Sequence, residues 1–232
     1  MKYIRDTLDF SVKEPSAITL GKFDGLHRGH ELLMENLLNQ SAENGYRSIV
    51  FTFDIPPARK TGKVEAQVLT TNEEKYHIFE ETGVDYLIEC PFTNEVMCME
   101  PEKFVRWIVS ALHVKCMIVG KDFHFGHNRG GDYKLLEKLS RELGYHVIVL
   151  EKIQEDGRDI SSTFVREEIK KGAIEKANHL LGYEFFVKSR VIHGKQIGRT
   201  IGIPTINMTL PPEKILPPNG VYVTRVIIGE QW

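Results

Sequence analysis

Short apolar runs alternate with amphipathic stretches over the first two-thirds of the chain. AITLG (Ala17–Gly21) and RSIVFTF (Arg47–Phe53) are dense in β-branched and aromatic side chains and read as buried strands. Between them Leu32, Leu33, Leu37 and Leu38 recur at helical spacing. Asn72–Thr82 predicts a helix with Asn72 as N-cap and Gly83 just past its end. Tyr86–Glu89 reads as a short strand, and Pro101 opens a helix carrying Phe104, Val105, Ile108 and Leu112. Cys116–Gly120 is the next strand, Tyr133–Leu143 a helix closed by Gly144, and His146–Leu150 a further strand. Strands alternating with helices imply an α/β fold, a Rossmann-like doubly wound parallel sheet covered on both faces. Ligands of such sheets bind beyond the carboxyl ends of the strands.

The pattern changes near Gly182. Thr163–Lys171 and Ile174–Leu181 read as two short helices, each followed by glycine. After them come FFVKSRVIHG, GRTIGIPTIN and LPPEKILPPNGVYVTRVIIG, with paired prolines at 211–212 and 217–218 and an Asn219-Gly220 turn. These suit a β-barrel or β-sheet module, and Val221–Ile228 reads as one of its strands. The expected organisation is an α/β domain over residues 1–182 and an incomplete β-barrel segment over 183–232.

Composition narrows the classes. The chain has 232 residues, 41% hydrophobic and 27% charged, enough for a sizeable core. A net charge of -2 supplies no bulk basic field, so nucleic acid and acidic membranes are not expected partners. No apolar run approaches the roughly 18 residues of a spanning helix. MKYIRDTLDF lacks an apolar signal core. Cys90, Cys98 and Cys116 form no metal-ligand spacing and are read as reduced, mostly buried thiols, which places the protein in the cytoplasm. Nothing in the sequence fixes an oligomeric state.

Chemistry concentrates in GKFDGLHRGH (Gly21–His30), between a strand and a helix. A helix N-terminus offers free N–H groups and partial positive charge to an anion. Gly21, Gly25 and Gly29 allow tight turns and close ligand approach. His27 and His30 lie on one face of the first turn, where imidazoles can donate to phosphate and carry positive charge as negative charge builds. A second stretch, ISSTFVR (Ile160–Arg166), sets Ser161, Ser162 and Thr163 before a helix, where hydroxyls cap free N–H groups. Arg166 is read into the first turn, where a cation opposes the dipole unless a polyphosphate binds there. A third, GKDFHFGHNRGGD (Gly120–Asp132), holds Phe123 and Phe125 among glycine, histidine and asparagine, poor material for a core and suited to stacking on a flat ring. A fourth, FTFDIPP (Phe51–Pro57), leads into ARKTGK (Ala58–Lys63), either a basic loop that meets phosphates or solvated surface.

The chain resembles the H-x-G-H nucleotidyltransferase superfamily. Gly21, Phe23, Asp24, His27, Gly29 and His30 match, within it, the adenylyltransferase module of the bacterial bifunctional riboflavin kinase/FMN adenylyltransferase family. The resemblance implies that Gly21, Phe23, Asp24, Gly25 and Gly29 bind ATP with Ser161, Ser162 and Thr163, and that His27, His30 and Arg166 are catalytic. It implies that Asp122, Phe123, Phe125 and Pro57 line the flavin pocket. His124 stands where arginine is usual, and Ile55 and Pro56 replace the family's proline and histidine. GRTIGIPTIN and LPPNGVY resemble the riboflavin kinase, in which Thr205 and Asn207 would help bind Mg²⁺ and ATP phosphates. The implied reaction joins ATP and FMN to give FAD and pyrophosphate, with Mg²⁺ arriving on ATP and no permanent metal site. Riboflavin is a possible further substrate, but the kinase's catalytic glutamate would lie downstream of this segment, so phosphorylation of riboflavin is expected to be absent or impaired. Other H-x-G-H enzymes, the cytidylyltransferases and the pantetheine- or nicotinamide-mononucleotide adenylyltransferases, are the first alternative. A non-catalytic flavin-binding remnant is the second.

Overall fold

A computed structural model describes residues 1–54, 67–195 and 197–229. Its centre is a six-stranded parallel sheet. The strands, in chain order, are β1 (Lys2–Arg5), β2 (Ser16–Leu20), β3 (Arg47–Phe53), β4 (Tyr86–Cys90), β5 (Val114–Gly120) and, after the two-residue strands β6 (His124–Phe125) and β7 (Gly131–Asp132), β8 (His146–Leu150). Their spatial order is β1-β4-β3-β2-β5-β8. From β2 the chain winds outward through β3 and β4, then crosses back to β5 and β8. The winding reverses between β2 and β5, and the crevice expected of such sheets lies outside the carboxyl ends of these two strands.

Alternation along each strand decides which face a side chain serves. Ala17, Val50, Leu87, Cys116 and Ile118 point to one cluster, which α1 (Arg28–Asn44) and α2 (Asn72–Thr82) cover through Leu33, Met34, Leu37 and Phe79. Ile18, Leu20, Ile49, Phe51, Ile88, Met117 and Val119 point to the other. There α4 (Pro101–Leu112) and α5 (Tyr133–Leu143) contribute Phe104, Val105, Ile108, Leu112, Leu136 and Leu139, while the four-residue α3 (Asn94–Met97) adds Val96. Strand β2 is buried at every position because both its faces and both its edges are covered.

The predicted core elements occur where the pattern placed them, with local shifts. Thr71, not Asn72, caps α2: its hydroxyl accepts from the Glu74 N–H at 3.2 Å, and the Glu74 carboxylate accepts from the Thr71 N–H at 2.9 Å. This reciprocal arrangement satisfies two free donors, which Asn72 alone cannot do. Strand β1 had no reading in the sequence, since four residues carry too little alternation to register. A small hairpin, β9 (Gln154–Glu155) and β10 (Arg158–Asp159), precedes α6 (Ser162–Lys171) and α7 (Ile174–Leu181). These two helices form a third cluster with Leu69, Ile160, Tyr183, Phe185 and Ile215.

The tail departs from expectation. Residues 221–227 form no strand, and Val221 and Val223 are fully exposed. Paired strands there are limited to β11 (Val191–Ile192) with β12 (Asn207–Met208), and no closed barrel forms among the described residues. A strand gains stability from its neighbours, and a two-stranded ribbon has too few of them.

Truncating Phe51, which is fully buried in the central strand β3, is expected to cost about 3–5 kcal/mol of unfolding free energy. Urea denaturation of Phe51→Ala against the parent protein measures it.

Candidate active site

The loop between β2 and α1 turns sharply at the switch point. Gly21 begins it, its N–H donating to Phe51 O at 3.2 Å across to β3. Phe23 and Leu26 both take left-handed backbone angles, with φ of 47° and 33°, unusual for residues with large side chains. Gly25 has φ of 85°, and a side chain there would begin 2.5 Å from Leu69 Cδ1, so only glycine fits.

Asp24 holds this loop. Its buried carboxylate accepts from the N–H groups of Leu69 and Thr70 at 2.8 and 3.1 Å through Oδ1, while Oδ2 pairs with Arg166. The Gly25 N–H donates to Thr70 Oγ1 at 3.1 Å, and its carbonyl accepts from the Tyr183 hydroxyl at 2.8 Å. From the α6 side, Ser162 Oγ donates to Asp24 O at 2.7 Å and Arg166 Nε donates to Gln67 O at 3.1 Å. The β2–α1 loop, residues 67–70 and α6 are thereby one hydrogen-bonded unit.

His27 is the N-cap of α1, and His30 lies in the first turn. Their rings stack at 3.9 Å between centroids, 22° from parallel. Phe23 meets His30 edge-on at 5.2 Å and Phe79 at 5.6 Å, so the histidine pair stands on the aromatic core. Gly29 keeps room for it: a side chain at 29 would begin 3.2 Å from the His27 ring. Nδ1 of each histidine is buried without a hydrogen-bond partner among the described residues. Burial lowers the His27 pKa to about 4, with the Asp122 carboxylate pulling the other way. Burial and the neighbouring His27 hold His30 well below the usual histidine value. Both rings are therefore neutral near pH 7, with unsatisfied polar atoms at a helix N-terminus. A buried polar atom with no protein partner is rare and is a candidate for contact with a bound group.

Ser161 caps α6, accepting from the Phe164 N–H at 3.3 Å, and Ser162 and Thr163 begin the helix. Arg166 falls in the second turn, not the first, because the cap is Ser161. The dipole penalty expected for it is correspondingly weak. In this structure the partner of Arg166 is Asp24.

On the far side of the crevice Asp122 follows β5 and is bridged to Lys152 at 3.0 Å. Phe123 and Phe125 stack on each other at 5.4 Å, 20° from parallel. The expectation that neither ring is core material fails for Phe125. It is buried against Phe104 at 5.8 Å because the short β6–β7 hairpin folds it under the loop, leaving Phe123 half-buried above it. Asp54 accepts from the Phe92 N–H at 2.6 Å. Ile55, Pro56, Pro57 and 58–63 lie outside the described residues. Thr205 and Asn207 share a shallow pocket with His193 and Arg199 in the tail, apart from the crevice residues. Among the described residues no group of three or more His, Cys, Asp or Glu side chains is arranged to hold a metal ion.

Sequence reasoning missed the role of Gln67–Thr70, whose backbone atoms do the binding. It also missed the buried Lys75–Glu89 pair, 3.6 Å apart between α2 and β4. The one available signal was the capping-box spacing Thr71 to Glu74, which marks where the loop must end.

The sheet order and its covering helices define a doubly wound α/β protein of the Rossmann-like nucleotidyltransferase type. The chain belongs to the FAD synthetase family: the profile of that description matches residues 9–164. A riboflavin kinase profile matches residues 181–232, and that domain is present only in part. The chain is 36% identical over its whole length to a bifunctional riboflavin kinase/FMN adenylyltransferase from Escherichia coli (strain K12), covering 75% of that protein. It is 33% identical to the protein of the same description from Bacillus subtilis (strain 168), over 92% of this chain and 68% of the relative. A crystal structure described as a macrolide-efflux protein from Streptococcus pneumoniae superposes with a TM-score of 0.83 at 26% identity, over 95% of this chain and 72% of that one. No described helix of the present chain is long and apolar enough to cross a membrane.

The neutral histidine gives a signed pH dependence. The folded His27 pKa of about 4 lies below the unfolded value of about 6.5, so the unfolded state binds the proton more readily. The stability from neutral His27 is present above pH ~6.5 and is lost as pH falls toward about 4, by up to roughly 3 kcal/mol. Thermal melts between pH 7 and 4 are expected to flatten in His27→Asn relative to the parent.

Proposed function

We propose that the chain transfers the adenylyl group of ATP to FMN, giving FAD and pyrophosphate. The observation that carries this reading is the stacked, unsatisfied His27–His30 pair at the start of α1, in a chain of the FAD synthetase family. A phosphate oxygen of FMN attacks the α-phosphorus of ATP, and the bond to the bridging oxygen breaks as pyrophosphate leaves. The nucleophile is already ionised, so no protein base is required. The protein's work is to hold two anions in line and to meet the charge that spreads over the α-phosphate and leaving group.

In this reading His27 and His30 donate to the phosphates from neutral imidazoles and take up positive charge as the anions arrive. Gly21, Phe23, Asp24, Gly25 and Gly29 shape the loop over which ATP lies, and Ser161, Ser162 and Thr163 face it from α6. Arg166 exchanges part of its pairing with Asp24 for the polyphosphate. Asp122 and Phe123, seated on Phe125, offer a wall to the flavin, and Pro57 is assigned to the same ligand. Mg²⁺ would arrive as part of the ATP substrate and would offset the charge of its phosphates. Thr205 and Asn207 are assigned to the kinase-like segment, 183–232, and the transfer chemistry to 1–182. ATP and FMN are the partners. The buried thiols of Cys90 and Cys116 fit a reducing cytoplasm.

Incubation with ATP·Mg and FMN, followed by chromatography of the flavins, is expected to show FAD and stoichiometric pyrophosphate. Absence of both would overturn the reading. His30→Ala is expected to lower turnover by roughly tenfold to a thousandfold, the scale for losing one transition-state donor. Arg166→Ala is expected to raise the KM for ATP with the fold intact by circular dichroism.

A further inference from the structure

Residues of the kinase-like tail reach back to the loop that holds Asp24 and Arg166. Glu213 O accepts from the Val68 N–H at 2.8 Å and the Ile215 N–H donates to Val68 O at 2.9 Å, an isolated parallel bridge. This seats the Lys214 side chain inside the protein. Its Nζ donates to Leu69 O and to Glu74 Oε2, each at 2.6 Å. It also lies over the rings of Phe185 and Phe186, at 4.5 and 5.6 Å. The side chains of Lys214 and Glu74 are 1% and 0% exposed. Glu74 accepts in addition from the Thr71 N–H at 2.9 Å and the Lys188 N–H at 2.9 Å.

Residues 67–71 are thus gripped from two sides. On one side Lys214 and Glu74 hold the Leu69 carbonyl and the Thr71 cap. On the other, the Leu69 and Thr70 N–H groups hold the Asp24 carboxylate, Thr70 Oγ1 holds Gly25, and Gln67 O holds Arg166. A peptide whose carbonyl is fixed has its following N–H fixed as well, because the unit is planar. Pinning Leu69 O therefore orients the Thr70 N–H that binds Asp24. Removing the ammonium would leave a buried carboxylate uncompensated and this peptide free to rotate.

We propose that Lys214 is a positioning residue for the adenylyltransferase site, acting through Leu69–Thr71 on Asp24 and Arg166. The inference rests on the reading of that crevice as the ATP site. It makes residues 183–188 and 213–215, outside the stretch that matches the FAD synthetase profile, a working part of ATP binding.

The test is Lys214→Met, which keeps the stem and removes the charge. With FMN saturating, the KM for ATP is expected to rise at least fivefold while kcat changes less than twofold. In an Arg166→Ala background the same substitution is expected to add less than twofold, because the route to ATP has already been removed. An unchanged KM in the single variant, or an equal rise in both backgrounds, would overturn the proposal. If Lys214→Met is unfolded at the assay temperature, Lys214→Met combined with Glu74→Gln removes both buried charges. That pair is expected to show the same KM rise, and a parental KM would refute the idea. Titration calorimetry with ATP·Mg alone separates the two readings. Parent protein that binds ATP but makes no FAD sinks the proposed reaction. A parental ATP affinity in Lys214→Met sinks the role of Lys214.

Discussion

The carboxylate of Asp24 joins the three segments that form the crevice. It lies on the loop after the first central strand, takes two N–H donors from residues 69–70, and pairs with Arg166 of α6. A buried carboxylate costs several kcal/mol of lost hydration unless such partners meet it. The positions of the loop, the 67–70 segment and α6 are therefore coupled through one side chain. With Asp24 satisfied, Gly25 can turn with φ of 85° and Phe23 can drop its ring onto Phe79. Those two placements bring His27 and His30 into stacking contact at the start of α1.

The same loop is also braced from the tail through the buried Lys214–Glu74 pair. The capping box of α2 and the lysine share one carboxylate, so helix capping and tail docking cannot be separated energetically. The rest of the tail is held far less. Its apolar side chains from Val221 to Ile228 are exposed, and its pairing is confined to one two-stranded ribbon. The segment is thus attached to the α/β domain chiefly through residues 183–188 and 213–215.

Within the site, strain and unsatisfied groups accumulate where the ligand is assigned. Phe23 and Leu26 carry left-handed angles, and the Nδ1 atoms of both histidines have no partner among the described residues. Each is a cost to the folded state that the surrounding sheet tolerates because β2 and β3 are locked on both faces. The histidines are kept neutral by that same burial.

The amino-acid order alone determined the doubly wound sheet, because a 2-residue period and a 3.6-residue period leave distinct apolar patterns. It also marked Gly21–His30 and Ile160–Arg166, since glycine, histidine and hydroxyl residues at a strand–helix boundary have few purely structural uses. It misjudged Phe125, the cap of α2 and the strand after Asn219. Phe125 depends on Phe104, distant in the chain, and the strand on pairing partners that the described residues do not supply, whereas the cap is local and was missed because the Thr71–Glu74 pair outcompetes Asn72. Only the tertiary structure showed that Asp24 meets Arg166 and that Lys214 holds Leu69. These contacts join residues 142 and 145 positions apart, the first between two side chains and the second from a side chain to a backbone carbonyl that every residue possesses. No pattern of side chains encodes which carbonyl a lysine will find; the packing of the whole chain decides it.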